Sequence, residues 1–439
     1  MTNSAQTGRI VLKWVGIYGQ RLARDGQLAL QLAATLSSTQ ALGALRHRNF
    51  RLYWFAGMGQ AAALGMQFLI LGWLVLELTR SPTQLGIVIA IYGAPNLAML
   101  MFGGIFADRV DRRWLLFYSQ TIVAALIFGA ATLTLYQLIS IWHIYGISFV
   151  LGTIQGLNMP ARMAIVPDLV GKDDILNATS LNMAVFNTGR IMGPSLAGWI
   201  IQYVGMGHAL YFNAICYGLG SLCLLMMTGV ESRNQNEDAN ILHDFWDGIK
   251  FVWMTPVAFT LVGMSFAFGF FGAAYVQVLP AFGKEVLRLN ADGAGFLLTV
   301  AGLGSLAGNI YLASLGNAKH KNWLLLGMII LFGVSLFFFA LSSIYPISLA
   351  LLFLTGIGFT GFISMGTTIL QLSTPPELRG RMMSLWLIGA AVHYIGAWPL
   401  GTVGEYWGWP MSLGGGALAM LALVFWLGIM RPTLRRLTV

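Results

Sequence analysis

Two ionisable side chains, Arg190 and His393, lie in the middle of long apolar stretches of the sequence. An unpaired guanidinium at the centre of a bilayer costs about 2.5–3.5 kcal/mol on insertion scales, so Arg190 must face a cavity or a polar partner. Either a polar network with Asn187 and Asn182 or an anionic ligand could supply that partner. His393 could exchange protons, because unperturbed histidine titrates near neutral pH, or it could be a structural histidine with satisfied hydrogen bonds.

Further polar side chains are expected at the same depth, where each could line a pocket or hydrogen-bond to a neighbouring helix. These candidates are Gln60, Gln67, Asn96, Gln155, Asn158, Gln277, Asn309 and Gln371. The aromatic residues expected beside them are Tyr92, Phe186, Tyr275 and Trp386. A mixture of amide and aromatic side chains predicts an amphiphilic pocket.

The elements that must hold these residues follow from the composition of the chain. Of 439 residues, 57% are hydrophobic and 9% are charged, whereas soluble proteins have about 25% charged residues. So few charges cannot cover a water-exposed surface, which excludes a soluble globular fold. A spanning helix needs about 20 apolar residues, and twelve such stretches occur, predicting an all-α membrane protein. The expected spans are roughly 52–78, 84–107, 114–138, 141–161, 177–203, 207–228, 256–282, 292–314, 323–342, 345–372, 382–407 and 410–430.

The basic residues are distributed unequally between the two sides of these spans. With the N-terminus on one side, 21 of the 25 Lys and Arg residues fall on that side, Arg162 among them. Arg80, Lys284 and Arg288 fall on the other side, and Arg190 is left inside the membrane. The positive-inside rule therefore predicts that both termini are cytoplasmic. The expected location of this multi-pass protein is the cytoplasmic (inner) membrane. Orientation explains the net positive charge, so no nucleic-acid partner is expected.

The chain also contains an internal repeat. An offset of 209 residues places Gly86 on Gly295, Gly93 on Gly302, and the Trp-Leu-Leu of 114–116 on that of 323–325. A constant offset across several helices predicts two parallel six-helix bundles. The expected segments are a tail with a possible interfacial helix at 1–45, bundles at 46–228 and 256–439, and a cytoplasmic linker at 229–255. Paired bundles of this kind support alternating access to a site between them.

The loop between the second and third spans resembles the signature loop of the major facilitator superfamily, G-x-x-x-D-R-x-G-R-R. Asp111 stands where most members have the second glycine, a variant associated with the bacterial exporter branch that includes enterobactin and multidrug exporters. The resemblance implies that Asp108 and Arg112 form a cytoplasmic latch near Met382. The gate residues that it implies are Gly104, Asp108, Arg109, Arg112, Arg113, Glu377, Arg379 and Arg381.

A second segment, in the fifth span, is similar to the fifth-helix motif of proton-coupled antiporters. Its residues are Gly189, Gly193, Pro194 and Gly198, and the alternative interpretation is plain helix packing. The similarity favours export. The arginine that many drug antiporters carry in the fourth helix is replaced by Gly152, and no Asp or Glu lies at mid-membrane depth, so the residue that carries protons is not evident.

These observations predict a secondary transporter that exports an amphiphilic small molecule, drug-like or siderophore-like, by alternating access with protons as the coupled ion. The expected partners are the lipid bilayer, a small-molecule substrate and protons, and the expected oligomeric state is a monomer. No cofactor, metal site or enzymatic activity is expected, because no phosphate-binding loop, metal-ligand spacing or nucleophile–base constellation is present. The alternatives are an importer of lysophospholipid or another solute, and a non-transporting receptor or scaffold.

Overall fold

Twelve long helices dominate the computed structural model, which describes residues 39–229, 249–316 and 321–430, with the backbone alone at 39–42, 101–109, 377 and 428–430. The helices of the first half are α1 Arg48–Thr79, α2 Pro82–Arg109, α3 Arg112–Leu135, α4 Ile141–Leu169, α5 Ile175–Tyr203 and α6 Met206–Leu225. Those of the second half are α7 Pro256–Glu285, α8 Ala291–Ser314, α9 Lys321–Leu341, α10 Tyr345–Ser373, α11 Arg379–Trp407, and α12, formed by Pro410–Gly414 and Gly415–Met430.

Ten helices in the described ranges are long and apolar enough to cross a membrane. The other two, α4 and α5, have 29 residues each and carry Arg162 and Arg190. The predicted all-α membrane fold with two six-helix bundles is confirmed. The bundle limits at 46–228 and 256–439 stay a prediction, because residues 1–38, 230–248, 317–320 and 431–439 lie outside the described part of the chain.

Short, well-capped turns connect the helices. Asp111 is the N-cap of α3, and its carboxylate accepts hydrogen bonds from the backbone N–H groups of Arg113 at 2.9 Å and Trp114 at 3.2 Å. An acidic side chain at this position also interacts favourably with the helix dipole. The aspartate that replaces the usual glycine therefore starts α3. Gly205 and Gly408, with φ of 110° and 84°, supply left-handed turns that other residues rarely adopt.

Small residues allow the helices within each half to touch. A Cβ atom added to Gly65 of α1 would lie 2.0 Å from the carbonyl oxygen of Gly189 in α5. Likewise, a Cβ atom at Gly304 of α8 would lie 2.1 Å from the carbonyl oxygen of Phe353 in α10. Backbones this close pack by dispersion over their whole length, which is how membrane helices associate without a hydrophobic effect between them.

The two halves approach each other through α2 with α11 and α5 with α8. We call the side with the α2–α3, α4–α5 and α10–α11 turns the basic face, and the opposite side the sealed face. A Cβ atom at Gly86 would lie 2.6 Å from the carbonyl oxygen of Ala397, and one at Gly198 would lie 2.3 Å from that of Ala291. Both contacts lie between the middle of the helices and the sealed face, so the interface between the halves is closed at that end.

A short 3₁₀ helix, Thr39–Arg46, packs against the start of α5 at the basic face. The backbone N–H of Ala44 donates to Oδ1 of Asn177 at 3.0 Å, and Nε2 of His47 lies 2.9 Å from Oδ2 of Asp174. The hydrogen bond with His47 lowers the pKa of the Asp174 carboxyl group, and the charge of Arg46 acts in the same direction. Of the predicted interfacial helix within 1–45, residues 1–38 are outside the described ranges.

Candidate functional site

Arg190 occupies the middle of α5 and its side chain is exposed. Its neighbour Gly189 is buried against α1, because a Cβ atom there would lie 2.4 Å from the carbonyl oxygen of Ala61. Pro194 cannot donate to the carbonyl of Arg190 four residues earlier, so the backbone is also less constrained here. Among the described residues, Arg190 has no hydrogen-bonding or ion-pair partner, and the predicted network with Asn182 and Asn187 is not formed by the described contacts.

Three titratable side chains of the second half lie near Arg190. They are Tyr275 of α7 and His393 and Tyr394 of α11, each within electrostatic range of its guanidinium. Toward the sealed face, the halves touch immediately beyond this point. A Cβ atom at Gly302 would lie 3.1 Å from the side chain of Ile191, and one at Gly93 would lie 2.1 Å from that of Tyr394. Arg190 and His393 therefore mark the closed end of the space between the halves.

His393 starts the second segment of α11, after a break at Val392. Its Nδ1 lies 2.9 Å from the carbonyl oxygen of Ala390. A carbonyl can only accept, so Nδ1 carries a hydrogen and donates it. This bond fixes the ring and leaves Nε2 as the nitrogen that can accept or release a proton.

Aromatic rings from both halves surround this position. The Tyr394 ring packs edge-on against Tyr92 with centroids 5.2 Å apart, and it stacks with Phe68 at 6.0 Å. Phe68 and Tyr92 also contact each other at 5.3 Å. The hydroxyl of Tyr92 is buried without a hydrogen-bonding partner among the described atoms. This cluster, Phe68–Tyr92–Tyr394, forms an apolar surface that joins the two halves next to His393.

Two helices lose regular geometry at the same level. In α7 the segment Phe268–Ala273 is π-helical, and it lies beside the α11 break. A Cβ atom at Gly269 would lie 2.2 Å from the carbonyl oxygen of Gly389, and one at Gly396 would lie 2.2 Å from that of Phe270. Such π segments often occur at functional sites because they redirect side chains and free carbonyls.

The other predicted site residues fall into two groups. Gln67 accepts a hydrogen bond from Tyr217 at 2.9 Å, and Asn96 donates to the carbonyl of Gly152 at 3.4 Å, so both join helices. Asn158 and Gln277 are also buried, and Gln155 is half-buried. Exposed side chains are those of Asn187, Asn309 and Gln371. Asn187 lies three residues before Arg190, on the same face of α5.

Sequence reasoning missed Arg162, which was expected on the cytoplasmic side beyond a span ending at 161. The structure corrects this, because α4 continues to Leu169 and the side chain of Arg162 is 7% exposed. Arg162 donates to Oε1 of Gln60 and, at 3.4 Å, to Oδ1 of Asn182. Arg190 is therefore not the sole cation inside the bundle. The spacing of Gln155, Asn158 and Arg162, three and then four residues, is the helical signal that indicated one continuous polar face.

The Arg162 guanidinium is enclosed by neutral groups. It lies 4.3 Å from the ring centre of Phe186 and 5.2 Å from that of Tyr53. Gln60 also accepts from Gln120 at 2.9 Å. Amide oxygens and aromatic faces thus satisfy this cation within the first half.

The predicted gate residues that the structure describes are engaged at the basic face. Nη1 of Arg112 donates to Oδ2 of Asp168 at 2.8 Å and to the carbonyl of Ala164 at 3.1 Å. Arg113 donates to the carbonyls of Leu224 and Leu225, which end α6. Nε of Arg379 donates to the carbonyl of Thr374 at 3.2 Å, and Arg381 is half-buried. The side chains of Gly104, Asp108, Arg109 and Glu377 lie outside the described part of the chain.

The antiporter-like residues of α5 have two packing partners. Gly189 and Gly193 contact α1, whereas Pro194 and Gly198 contact α8 of the other half. Beside them, Oγ of Ser195 lies 2.6 Å from Oγ1 of Thr299, which donates to the carbonyl of Ile191 at 2.7 Å. This segment therefore joins the two halves near the sealed face.

A polar contact completes the closure of the sealed face. Nζ of Lys284 donates to the carbonyl of Leu76 at 3.3 Å and lies 5.0 Å from the ring centre of Trp73. Lys284 belongs to α7 and the other two residues to α1. A cation at the C-terminal end of α1 is favourable because of the helix dipole.

Known proteins share this architecture. A model of the transmembrane secretion effector family matches residues 39–436. The chain is 24% identical over 366 residues to the multidrug efflux pump Tap of Mycolicibacterium fortuitum, covering 80% of this chain and 86% of Tap. It is 23% identical over 341 residues to the enterobactin exporter EntS of Shigella boydii serotype 18, covering 77% of this chain and 81% of EntS. The solved structure of the nucleoside transporter NupG superposes with a TM-score of 0.71 at 15% identity, covering 87% of this chain and 98% of NupG.

Proposed function

Because the chain belongs to the transmembrane secretion effector family of the major facilitator superfamily, and is thus a multi-pass membrane transporter, we propose that it exports an amphiphilic small molecule by alternating access. The observation that carries this proposal is the position of Arg190 and His393. Arg190 belongs to the first half and His393 to the second. Both lie between the halves, just before the contacts that close the interface toward the sealed face. A transporter needs such a site at mid-depth, reachable from one side at a time.

The distribution of basic residues, together with the closed contacts at the sealed face, supports an inward-facing state. If the basic face is cytoplasmic, as the positive-inside rule requires, the sealed face is the outer one. The protein would then lie in the inner membrane of a bacterium with both termini in the cytoplasm, acting as a monomer. The named functions of Tap and EntS, efflux and export, support the direction.

An amphiphilic substrate is supported by the chemistry of the site. The exposed side chain of Arg190 lies within electrostatic range of Tyr394, a member of the Phe68–Tyr92–Tyr394 cluster, so a cation and a flat apolar surface occur in one region. We infer that the coupled ion is the proton and that His393 participates, since its ring is fixed through Nδ1 and Nε2 is left available.

The opposite conformation requires a latch at the basic face. We propose that Asp108 and Arg112 of the first half form it with the start of α11, where Arg379 and Arg381 lie. In the present state Arg112 is held by Asp168 of its own half. The segment 229–255 would connect the two bundles while they exchange partners.

The test is flux into proteoliposomes with an imposed pH gradient, using a panel of fluorescent amphiphiles of different charge. With an acidic lumen, proton antiport should drive accumulation of a substrate inside vesicles whose protein has its basic face outward. Movement of substrate in the same direction as protons would identify the importer alternative. Absence of gradient-driven flux for the whole panel would contradict transport of this class.

A further inference from the structure

Arg190 has a charge that the described part of the chain does not balance. The described acidic side chains all belong to helix ends and turns: Glu77, Asp111, Asp168, Asp173, Asp174, Glu285, Asp292 and Glu405. A guanidinium stays protonated in proteins, so it cannot relieve the imbalance by losing a proton. While the site is open to water, solvent supports the charge. When the halves close around the site, that solvent is reduced and a counter-charge is needed.

Arg162 shows how this fold satisfies a buried cation with its own side chains. Its guanidinium has two amide oxygens, from Gln60 and Asn182, and two aromatic faces, from Tyr53 and Phe186. Arg190, eight residues after Asn182 in α5, has no such partners among the described residues. The contrast indicates that the partner of Arg190 is a ligand that binds and dissociates.

The groups around Arg190 suit an anion with an apolar body. Tyr394 brings a phenol group, which can donate a hydrogen bond, and His393 brings an imidazole whose centre lies 4.1 Å from the Tyr394 ring; both are half-buried. No described carboxylate lies among them to repel an anion. Tyr394 belongs to the Phe68–Tyr92–Tyr394 cluster, and aromatic rings stack well on a flat apolar group.

We propose that Arg190 and the rings of His393 and Tyr394 form an organic-anion subsite. The transported molecule carries a carboxylate or similar anionic group, bound by Arg190, next to a flat apolar portion that lies on the aromatic cluster. This inference rests on the proposed transport function and adds the charge class of the substrate. Anionic amphiphiles should therefore bind more tightly than neutral or cationic molecules of the same shape.

The experiment compares binding of pyrene-butanoate, its neutral amide and the corresponding pyrene-butylammonium to the full-length protein in lipid nanodiscs. We expect the anion to bind at least about tenfold more tightly than the amide, and the cation to bind most weakly. Arg190→Gln should remove the difference between anion and amide, while Arg190→Lys should keep part of it because the charge remains. Gel filtration and thermal unfolding check that each variant is folded.

The matched control is Arg288→Gln, which removes an exposed arginine at the sealed face, away from the site. It should leave the order of affinities unchanged. Equal or absent binding of the anion to the wild type, or an unchanged preference in Arg190→Gln, would overturn the subsite. Binding is measured without flux, so gradient-driven transport of the amide or cation alongside equal binding would leave the proposed function intact while refuting this inference.

Discussion

Glu405, in the last turn of α11, accepts a hydrogen bond from Oγ of Ser81 at 2.5 Å, and this contact joins the two halves at the sealed face. The same carboxylate oxygen accepts from the backbone N–H of Thr83 at 2.8 Å. Ser81 lies in the turn between α1 and α2, and Thr83 lies in the first turn of α2. One side chain of the second half therefore holds the connection between two helices of the first.

Replacing Glu405 with Ala should weaken this closure. Hydrogen bonds to a charged group contribute about 1.5–3 kcal/mol when well formed and less when exposed, so the equilibrium should shift roughly tenfold toward opening at the sealed face. Spin labels at Gln137 and Ser343, in turns of the two halves, would report a longer distance by electron–electron double resonance. Arg288→Ala is the control, because it removes an exposed charged side chain at the same face that makes no hydrogen bond to the first half within the described ranges. Identical distance distributions for both variants would contradict this role of Glu405.

Adding one methyl group at Gly198 should separate α5 from α8. The Cβ atom would lie 2.3 Å from the carbonyl oxygen of Ala291, which is too close for any van der Waals contact. Overpacking of this kind costs about 1–3 kcal/mol, so Gly198→Ala should slow transport and lower the unfolding temperature. Gly218→Ala, where nothing lies within 4 Å, should do neither. Equal behaviour of the two variants would mean that the α5–α8 contact is not required.

Truncation of Arg162 should lower stability, whereas truncation of Arg190 should abolish transport. Arg162→Ala removes the donor to Gln60 and Asn182 and leaves a cavity beside Phe186, so thermal unfolding should occur about 5–10 °C lower. Arg190→Ala should change the unfolding temperature little but abolish export. Arg162→Met should recover part of the stability, because it restores packing without a charge. A large loss of stability in Arg190→Ala would indicate a structural role instead.

Stability should depend on acid pH through Asp174. The pKa of its carboxyl group is lowered by His47, so the favourable contribution is present above the ordinary aspartate pKa of 3.8. It is lost as the pH falls through the lower value of the folded state. Unfolding temperatures measured from pH 7 down to pH 3 should therefore fall more steeply for wild type than for Asp174→Asn. Asp173→Asn, which removes the neighbouring exposed carboxylate, should retain the wild-type slope.

His393→Gln tests the coupling to protons. Glutamine can keep a hydrogen bond to the carbonyl of Ala390 but cannot carry a proton, so gradient-driven export should lose its pH dependence while substrate binding is kept. The measurement is initial flux against pH in proteoliposomes, with counterflow of substrate as the control for an intact site. A wild-type pH profile in the variant would exclude His393 as the coupling residue.

The helices were predictable because the bilayer sets their length. The span expected at 207–228 is the helix Met206–Leu225, and that expected at 292–314 is Ala291–Ser314. The prediction for α4 stopped eight residues early, since Arg162 and Asp168 end the apolar stretch. Arg162 is satisfied inside the bundle by Gln60, and Asp168 is satisfied at the basic face by Arg112. A tertiary partner of this kind cannot be inferred from hydropathy.

The geometry of the site was less accessible to sequence reasoning. Arg190 and His393 stood out because each is ionisable within an apolar stretch, and the structure places them on opposite halves near one another. No proline or polar residue within Phe268–Ala273 announces its π-helical form, and the break at Val392 follows two alanines. Both irregularities lie where α7 and α11 pack against each other, a contact that only the folded chain reveals.

The irregular segments of α7 and α11 divide each of these helices into two pieces at the same level. The pieces beyond them, Tyr275–Glu285 and His393–Trp407, carry Lys284 and Glu405, which contact the first half at the sealed face. The pieces before them, Pro256–Ala267 and Arg379–Ala391, pack against each other. Opening of the sealed face can therefore proceed by bending α7 and α11 at the same level, while their packed pieces Pro256–Ala267 and Arg379–Ala391 keep their positions.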